Sequence, residues 1–340
     1  MGRSHIRLLP LCVTLFCALP LRAETVRVAT YDPGLSRDGP GLLLRDLTAG
    51  KDKQIIAVIA VIAEVSPDIL LLTGFDWDLR GVALRAFQAR LAAAGVDYGY
   101  SYAPRPNTGM ATGLDLDGDG RRGGPRDAQG YGLFSGADGM ALLSRLPIRT
   151  EAARDFSAFL WQDLPEAQVD GADLTPEVRK IQRLSTTSHW DVPVELRSGV
   201  TLGLRAFGAT PPVFDGPEDR NGRRNHDETA FWLRYQDGLL PVVPRPGPWV
   251  VLGDAGLDPI RGEGRKDALI RLLGLAADPL AGVDTVDYGG TTGRMRADYV
   301  LPSADLTVTG AGVYWPEGAA GETAATASRH RLVWVDISLP

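Results

Sequence analysis

The C-terminal stretch Arg329-His330-Arg331-Leu332-Val333-Trp334-Val335-Asp336 places a polar cluster directly before an apolar segment. The apolar residues of 332–337 predict a strand. A histidine directly before a strand lies at the edge of a sheet, which is a common position for a catalytic histidine. His330 is therefore the first candidate for a functional side chain.

Upstream of this segment, predicted strands and helices alternate along the chain. The run 68–73 is almost continuously apolar, which is typical of a strand buried on both faces. Further strands are predicted over 25–31, 139–144, 201–207, 249–253 and 298–301, and helices over 53–65 and 82–94. Asn225 and Glu228 predict the start of another helix, with Asn225 as its N-cap. The small and polar segment 318–328 is predicted to be a mobile loop.

The same segments carry six motifs that resemble, in this order, those of the endonuclease/exonuclease/phosphatase superfamily, the DNase-I-like phosphohydrolases. The motifs lie at 29–32, 70–76, 210–228, 253–256, 296–299 and 328–330. The resemblance covers most of residues 25–338 and implies a four-layered α/β sandwich, in which two mixed β-sheets pack face to face with helices outside. No repeat or long linker divides the chain, so residues 24–340 are predicted to form one domain of this family.

The resemblance also implies a set of polar side chains, five of which are replaced here. The family ends its first strand in Asn and its second in a metal-binding Glu, where this sequence has Asp32 and Gly74. It places a His before the Pro-rich motif, where Ala209 stands. It has an Asn in the motif after a later strand and an acid before the last His, where this sequence has Gly256 and Arg329. The main metal-binding carboxylate is therefore missing from its usual position.

Three family positions are retained, and the resemblance implies a catalytic role for Asp254, Asp298 and His330. Each also has a purely structural interpretation. His330 could be a structural side chain paired with Asp298, and Asp254 could form an Asx turn after its strand. Asp298 could pair with the nearby Arg296. Arg329 could be a solvated loop charge, or it could place its own positive charge in the vacant metal position.

Two hypotheses of function follow from these positions. In the first, the active site is degenerate and the chain is a non-catalytic binding or scaffold domain, with no appreciable phosphodiesterase or phosphomonoesterase activity. In the second, the chain is a metal-dependent phosphohydrolase with a rebuilt metal site. Asp32, Asp254 and Asp76 then hold Mg²⁺ or Mn²⁺, and His330 acts on the phosphate. Because Asp76 lies two residues beyond Gly74, such a site would be displaced by ~6.6 Å along the strand.

A second candidate cation site lies in an Asp- and Gly-rich loop. Asp115, Asp117 and Asp119 alternate as oxygen ligands do in the first half of a calcium loop. The twelfth position is Arg126, where such a loop has a bidentate Glu, and Asp127 follows it. The loop is therefore predicted to bind a structural Ca²⁺ without being an EF-hand. The alternative is an acidic surface loop.

The N-terminus predicts export. Arg3 and Arg7 precede an apolar run that is too short to span a membrane, and a small residue follows it, so residues 1–23 are predicted to be a signal peptide. Both cysteines, Cys12 and Cys17, lie within it, so the exported chain would have neither a disulfide nor a thiol ligand. The predicted location is periplasmic or secreted.

The net charge of the chain limits the classes of partner that it is predicted to bind. The chain has 36 Lys and Arg and 42 Asp and Glu. Removal of 1–23 takes away three arginines and no acid, which leaves 33 against 42, a net charge of −9. An acidic chain repels polyphosphate, which disfavours extended nucleic-acid binding. No other segment is apolar enough to predict a membrane span, and the substrate or partner stays open.

Overall fold

A computed structural model describes Gly2 and residues 24–339 of the chain. The predicted signal peptide falls, apart from Gly2, outside these residues. The described strands are β1 (Thr25–Tyr31), β2 (Ile69–Phe75), β3 (Tyr100–Tyr102), β4 (Gly139–Ser144), β5 (Arg154–Asp155), β6 (His189–Glu195), β7 (Thr201–Gly208), β8 (Trp249–Asp254), β9 (Val286–Asp287), β10 (Arg294–Met295), β11 (Asp298–Pro302), β12 (Thr307–Val313) and β13 (Val333–Ser338). The described α-helices are α1 (Leu42–Ala49), α2 (Lys53–Val65), α3 (Val82–Ala93), α4 (Pro176–Arg179), α5 (Arg220–Gln236), α6 (Asp267–Leu275) and α7 (Gly318–Ala327).

The strands form two large mixed sheets and one small hairpin. The first sheet has the order β12-β13-β1-β2-β4-β3, and the second has the order β11-β8-β7-β6-β5. Only β1 with β2 and β7 with β8 pair in parallel, and the other described neighbours are antiparallel. The hairpin of β9 and β10 lies beside the segment that precedes β13, because Val286 of β9 forms a β-bridge with His330.

The two sheets pack face to face and helices cover their outer faces. Val28 and Leu71 of the first sheet share a buried cluster with Leu204 of the second. On the outer faces, α2 and α3 bury their apolar sides against the first sheet, and α5 and α6 cover the second. Alternate residues of each strand therefore point into different layers. The predicted four-layered α/β sandwich with two mixed sheets is confirmed.

Most predicted elements are present within a few residues of their predicted bounds, but two predictions were wrong. The helix predicted to start at Asn225 begins at Arg220, because Asn225 lies inside α5 and uses its side chain for loop contacts. The predicted mobile loop 318–328 contains α7, whose Ala324 and Ala327 are buried in the cluster that includes residues of α2. Alanine is the best helix former and its small side chain permits this close packing.

The topology brings the ends of several strands to one edge of the sandwich. Asp32 follows β1 and Asp76 follows β2, which are parallel neighbours. Asp254 ends β8 and pairs directly with Asp298 at the start of β11. His330 precedes β13, which runs antiparallel to β1. Five polar side chains that are far apart in sequence therefore lie at the same end of the two sheets. None of the helices in the described part of the chain has the length and apolarity to cross a bilayer.

Candidate active site

Asp32 lies where a side chain at position 74 would be. Gly74 has a φ of +61°, and a Cβ added there would lie 2.2 Å from Oδ1 of Asp32. The same Oδ1 accepts a hydrogen bond of 2.7 Å from the backbone N–H of Gly34, which fixes the Asp32 carboxylate. The carboxylate on the first strand therefore fills the space that glycine leaves on the second.

Asp254 is held in a similar way at the end of β8. Its Oδ1 accepts a hydrogen bond of 2.7 Å from the backbone N–H of Gly256, two residues further on. The predicted Asx turn is therefore present. Within the described residues, Oδ2 of Asp254 and Oδ2 of Asp32 accept no hydrogen bond from the protein, so each carboxylate keeps one oxygen available for a ligand.

His330 is oriented by a buried carboxylate. Its Nδ1 donates to Oδ2 of Asp298 over 2.9 Å, and Thr285 Oγ1 donates to the same oxygen over 2.8 Å. Asp298 is fully buried, and the ring of Tyr288 packs edge-on against the imidazole at 6.0 Å. The predicted pairing of His330 with Asp298 is present. Arg296 pairs instead with Asp278, so the alternative Asp298–Arg296 ion pair is wrong.

Three of these side chains converge on one point. Asp32, Asp254 and His330 each offer an atom that could bind a metal ion, and these atoms all lie within 4.8 Å of one another. In the described chain, Asp298 is the one carboxylate within 4.0 Å of a His330 ring nitrogen. The oxygens of Asp32 and Asp254 are therefore near His330 without direct ion-pair contact.

Burial, and after it the charges of neighbouring groups, changes the protonation of these side chains. Burial, and after it the charge of Asp298, raises the pKa of Asp254 to about 8. Burial also raises the pKa of Asp32. Burial disfavours the charged form of His330, but the charge and hydrogen bond of Asp298 outweigh it and raise the pKa of His330 to about 10. The centre thus retains protons that its members would otherwise release, because burial and neighbouring negative charges disfavour the ionised carboxylates.

The sequence model of the Endonuclease/Exonuclease/phosphatase family matches residues 42–330. The chain belongs to this family. No curated protein sequence matches it.

Among solved structures, an endonuclease/exonuclease/phosphatase from Beutenbergia cavernae is 18% identical with a TM-score of 0.57, over 94% of this chain and 72% of that one. A family protein from Bacteroides thetaiotaomicron is 14% identical with a TM-score of 0.53, over 94% and 99% of the two chains. The human Nocturnin catalytic domain with bound sulfate is 16% identical with a TM-score of 0.53, over 93% and 95%. At these identities the likeness shows the fold.

The remaining substituted family positions do not bring side-chain donors to the centre. Ala209 and Gly256 have none, and Ala209 contributes only a backbone N–H that donates to the Asp254 carbonyl over 2.9 Å. The side chain of Arg329 is exposed and, as far as the chain is described, makes no ion pair with Asp32 or Asp254. The structure therefore gives no contact that would support Arg329 as a substitute for a metal ion.

Asp76 lies outside the convergence point. It is buried, and it accepts hydrogen bonds from Ser36 Oγ (2.7 Å) and from the backbone N–H groups of Arg37 (2.9 Å) and Asp138 (3.1 Å). These contacts give Asp76 a structural role between two loops.

Asp138 was not among the residues predicted from the sequence, and it adopts a left-handed φ of +53°. Its position directly before β4 was the available signal.

Buried polar residues of α5 hold the loops that carry the centre. Asn225 is fully buried, and its Nδ2 donates to the carbonyls of Thr210 and Ala255, each over 2.7 Å. Glu228 is also fully buried and accepts the backbone N–H of Thr210 over 2.7 Å. These contacts join the loops after β7 and β8. Asn225 and Glu228 were predicted only as the start of a helix, because a loop contact across the fold leaves no local sequence pattern.

The Asp-rich loop forms a second group of carboxylates. Asp115, Asp117 and Asp127 each offer an oxygen, and these oxygens lie within 4.8 Å of one another. Asp119, the third predicted ligand, is outside this group and accepts the backbone N–H of Arg121 over 2.7 Å. The chain folds back at Pro125–Asp127, so a residue ten positions after Asp117 takes the third place.

Proposed function

We propose that the chain binds a divalent cation between Asp32 and Asp254 and acts as a phosphoester hydrolase with a rebuilt cation site. The observation that carries this proposal is the position of the Asp32 carboxylate, which fills the side-chain space of Gly74 and converges with Asp254 and His330. The acid that the family has on its second strand would thus be supplied by the first strand. The fold and family support phosphoester chemistry as the reaction class.

The residues present fit a divalent cation. The carboxylates of Asp32, Asp254 and Asp298 contribute three negative charges when ionised, so the formal charge is −2 with a protonated His330 and −3 with a neutral one. Hard divalent cations prefer carboxylate oxygens, and Asp32 and Asp254 each have one free oxygen at the convergence point. Burial and, after it, neighbouring negative charges raise the pKa of Asp32 and Asp254, and a cation there would favour their ionised forms.

The chain's own residues would prepare the site in defined ways. A bound divalent cation supplies positive charge to the phosphoryl oxygens. Asp32 and Asp254 are pre-oriented by the backbone N–H groups of Gly34 and Gly256, so no rotamer search is needed when the cation binds. Asp298 occupies Nδ1 of His330, and Nε2 is therefore the ring atom left to contact either the cation or the phosphate.

Turnover of a chromogenic phosphodiester and a phosphomonoester with added Mg²⁺ or Mn²⁺ tests this proposal. We expect hydrolysis that stops with chelator and falls about 100-fold or more in Asp254→Asn, because the substitution removes a charge that holds the cation. Asp97→Asn, an exposed acid outside the site, is the matched control and should retain full activity. Equal turnover in Asp254→Asn and in the unmodified protein would refute the proposed centre.

A non-catalytic binding domain is the second candidate, and the side chains at 209 and 256 favour it. Ala209 and Gly256 offer no side-chain donors for charge that develops on a phosphoryl oxygen, and one such donor can be worth about 10²–10³ in rate. Cation binding without any turnover of either ester would support this candidate over the hydrolase.

We also propose that the Asp-rich loop holds a structural Ca²⁺ through Asp115, Asp117 and Asp127. Their oxygens lie within 4.8 Å of one another and Asp127 is buried. A cation at this loop would stabilise the fold by about 1.4 kcal/mol at ten times its Kd, which raises Tm by roughly 2 °C in a chain of this size.

Thermal melts with chelator and with millimolar Ca²⁺ test the loop. Asp117→Asn should abolish the stabilisation by Ca²⁺, whereas Asp119→Asn should retain it, because Asp119 lies outside the carboxylate group. Identical melts of the unmodified protein with and without Ca²⁺ would contradict the proposed Ca²⁺ site in the loop.

The apolar segment within residues 1–23 supports the further proposal of export to the periplasm or the medium.

A further inference from the structure

The spacing around His330 points to a ligand between the ring and the two acids. The ring nitrogens lie more than 4.0 Å from the carboxylate oxygens of Asp32 and Asp254 but have atoms of both within 4.8 Å. This separation is too long for a hydrogen bond. Two metal–ligand bonds of about 2.1 Å placed end to end span about 4.2 Å. Ligand atoms around one ion lie closer together than this end-to-end limit, so His330, Asp32 and Asp254 would move towards one another to share an ion.

Nδ1 of His330 has the same kind of hydrogen-bond partner as the non-ligating nitrogen of metal-binding histidines. A ligating histidine almost always donates its other N–H to a carboxylate, which fixes the tautomer and the ring plane. Here Nδ1 donates to the fully buried Asp298, and Thr285 Oγ1 donates to the same carboxylate oxygen. The other oxygen of Asp298 is buried and has no hydrogen-bond partner among the described residues.

We infer that Nε2 of His330 is the third protein ligand of the cation, beside Asp32 and Asp254, and that the centre therefore prefers Mn²⁺ or Zn²⁺ to Mg²⁺. This inference rests on the proposed cation site and assigns His330 to the metal instead of the phosphate. Cation binding would release the Nε2 proton of His330 to solvent, while Nδ1 keeps its proton for Asp298. An imidazole is a softer ligand than a carboxylate, and it favours transition metals over Mg²⁺, which prefers oxygen and water.

Calorimetric titration of the purified protein with Mn²⁺, Zn²⁺ and Mg²⁺ gives the first test. The Asp117→Asn background removes the Asp-rich loop as a competing site. We expect Mn²⁺ and Zn²⁺ to bind at least about tenfold more tightly than Mg²⁺. His330→Gln should weaken Mn²⁺ and Zn²⁺ about 10–100-fold and Mg²⁺ by much less. His226→Gln is the matched control, since His226 also pairs with carboxylates but lies in α5, outside the centre.

Pulsed electron paramagnetic resonance of Mn²⁺ bound to the unmodified protein gives a direct readout of nitrogen coordination. A nitrogen coupling from a coordinated imidazole is expected in the unmodified protein and should disappear in His330→Gln. Bound Mn²⁺ without nitrogen coupling, together with Mg²⁺ affinity equal to that of Mn²⁺, would overturn the assignment of His330 but leave the cation site at Asp32 and Asp254 intact. Absence of binding for all three cations would overturn the proposed cation site itself.

Discussion

Gly74→Ala is expected to destabilise the fold by about 2.5–5 kcal/mol and to weaken cation binding. A left-handed backbone conformation costs a non-glycine residue roughly 1–2 kcal/mol. The new methyl group would also lie 2.2 Å from Oδ1 of Asp32, so this carboxylate must leave its hydrogen bond with Gly34. A hydrogen bond to a charged group contributes about 1.5–3 kcal/mol. Urea unfolding of Gly74→Ala and of the unmodified protein measures the loss of stability, and cation titration of both measures the loss of affinity.

A double-mutant cycle separates the strain from the collision. In an Asp32→Ala background, Gly74→Ala should cost only the strain, which leaves a coupling energy of about 1.5–3 kcal/mol between the two positions. Gly238→Ala is the matched control, because Gly238 has a φ of +70° and nothing within 4 Å of an added Cβ. Equal costs at Gly74 and Gly238 would show that Asp32 does not fill the space of residue 74.

In the presence of chelator, the free energy of unfolding is expected to fall by at least about 2 kcal/mol between about pH 6.5 and pH 9. The pKa of Asp254 rises from 3.8 to about 8 in the folded chain, and that of His330 rises from 6.5 to about 10. The folded state therefore keeps protons that the unfolded state has released, and this stabilisation is lost as the pH rises through the folded pKa values. Burial raises the pKa of Glu228 to about 7, which acts in the same direction.

Urea unfolding at several pH values measures this slope. Asp254→Asn should flatten it, because the amide does not titrate and no longer repels Asp298. Burial lowers the pKa of His189 from 6.5 to about 4. Protonation of His189 in the unfolded chain therefore destabilises the fold mainly below pH 6.5, outside the range from pH 6.5 to pH 9. A saturating divalent cation should also flatten the slope, since it replaces the bound protons. Stability that is constant or rises with pH in chelator would contradict the described crowding of Asp254, Asp298 and His330.

Much of the fold could be predicted from local pattern. The run that became β2 is apolar almost throughout because both of its faces are buried, and α2 has the predicted bounds Lys53–Val65 because Asp52 caps it over 2.8 Å and its apolar face repeats with the helical period. The order of six motifs predicted the family, and the family match confirmed it. α7 was missed because its stability comes from packing of small residues on α2, and a small, polar composition is also typical of loops.

The candidate site was only partly predictable. The pairing of His330 with Asp298 was a stated alternative, and both residues were named as retained family positions. The sequence showed that a carboxylate was missing at Gly74 and offered Asp32, Asp254 and Asp76 as the ligands of a rebuilt site. The structure places the Asp32 carboxylate in the space of residue 74 and ties Asp76 to neighbouring loops. Distance along one strand can be counted from the sequence, whereas the side chains of two neighbouring strands meet only after the strands have paired.

The amino-acid sequence by itself determined the strand and helix periodicity, the family and the residues lost from its active site, because each of these is written in local spacing. Only the tertiary structure decided which side chain fills the space of a lost one. Parallel pairing of β1 with β2 sets Asp32 against Gly74, and a fold of the Asp-rich loop brings Asp127, not Asp119, to Asp115 and Asp117. Such contacts depend on strand register and loop closure, which join residues that no local pattern relates.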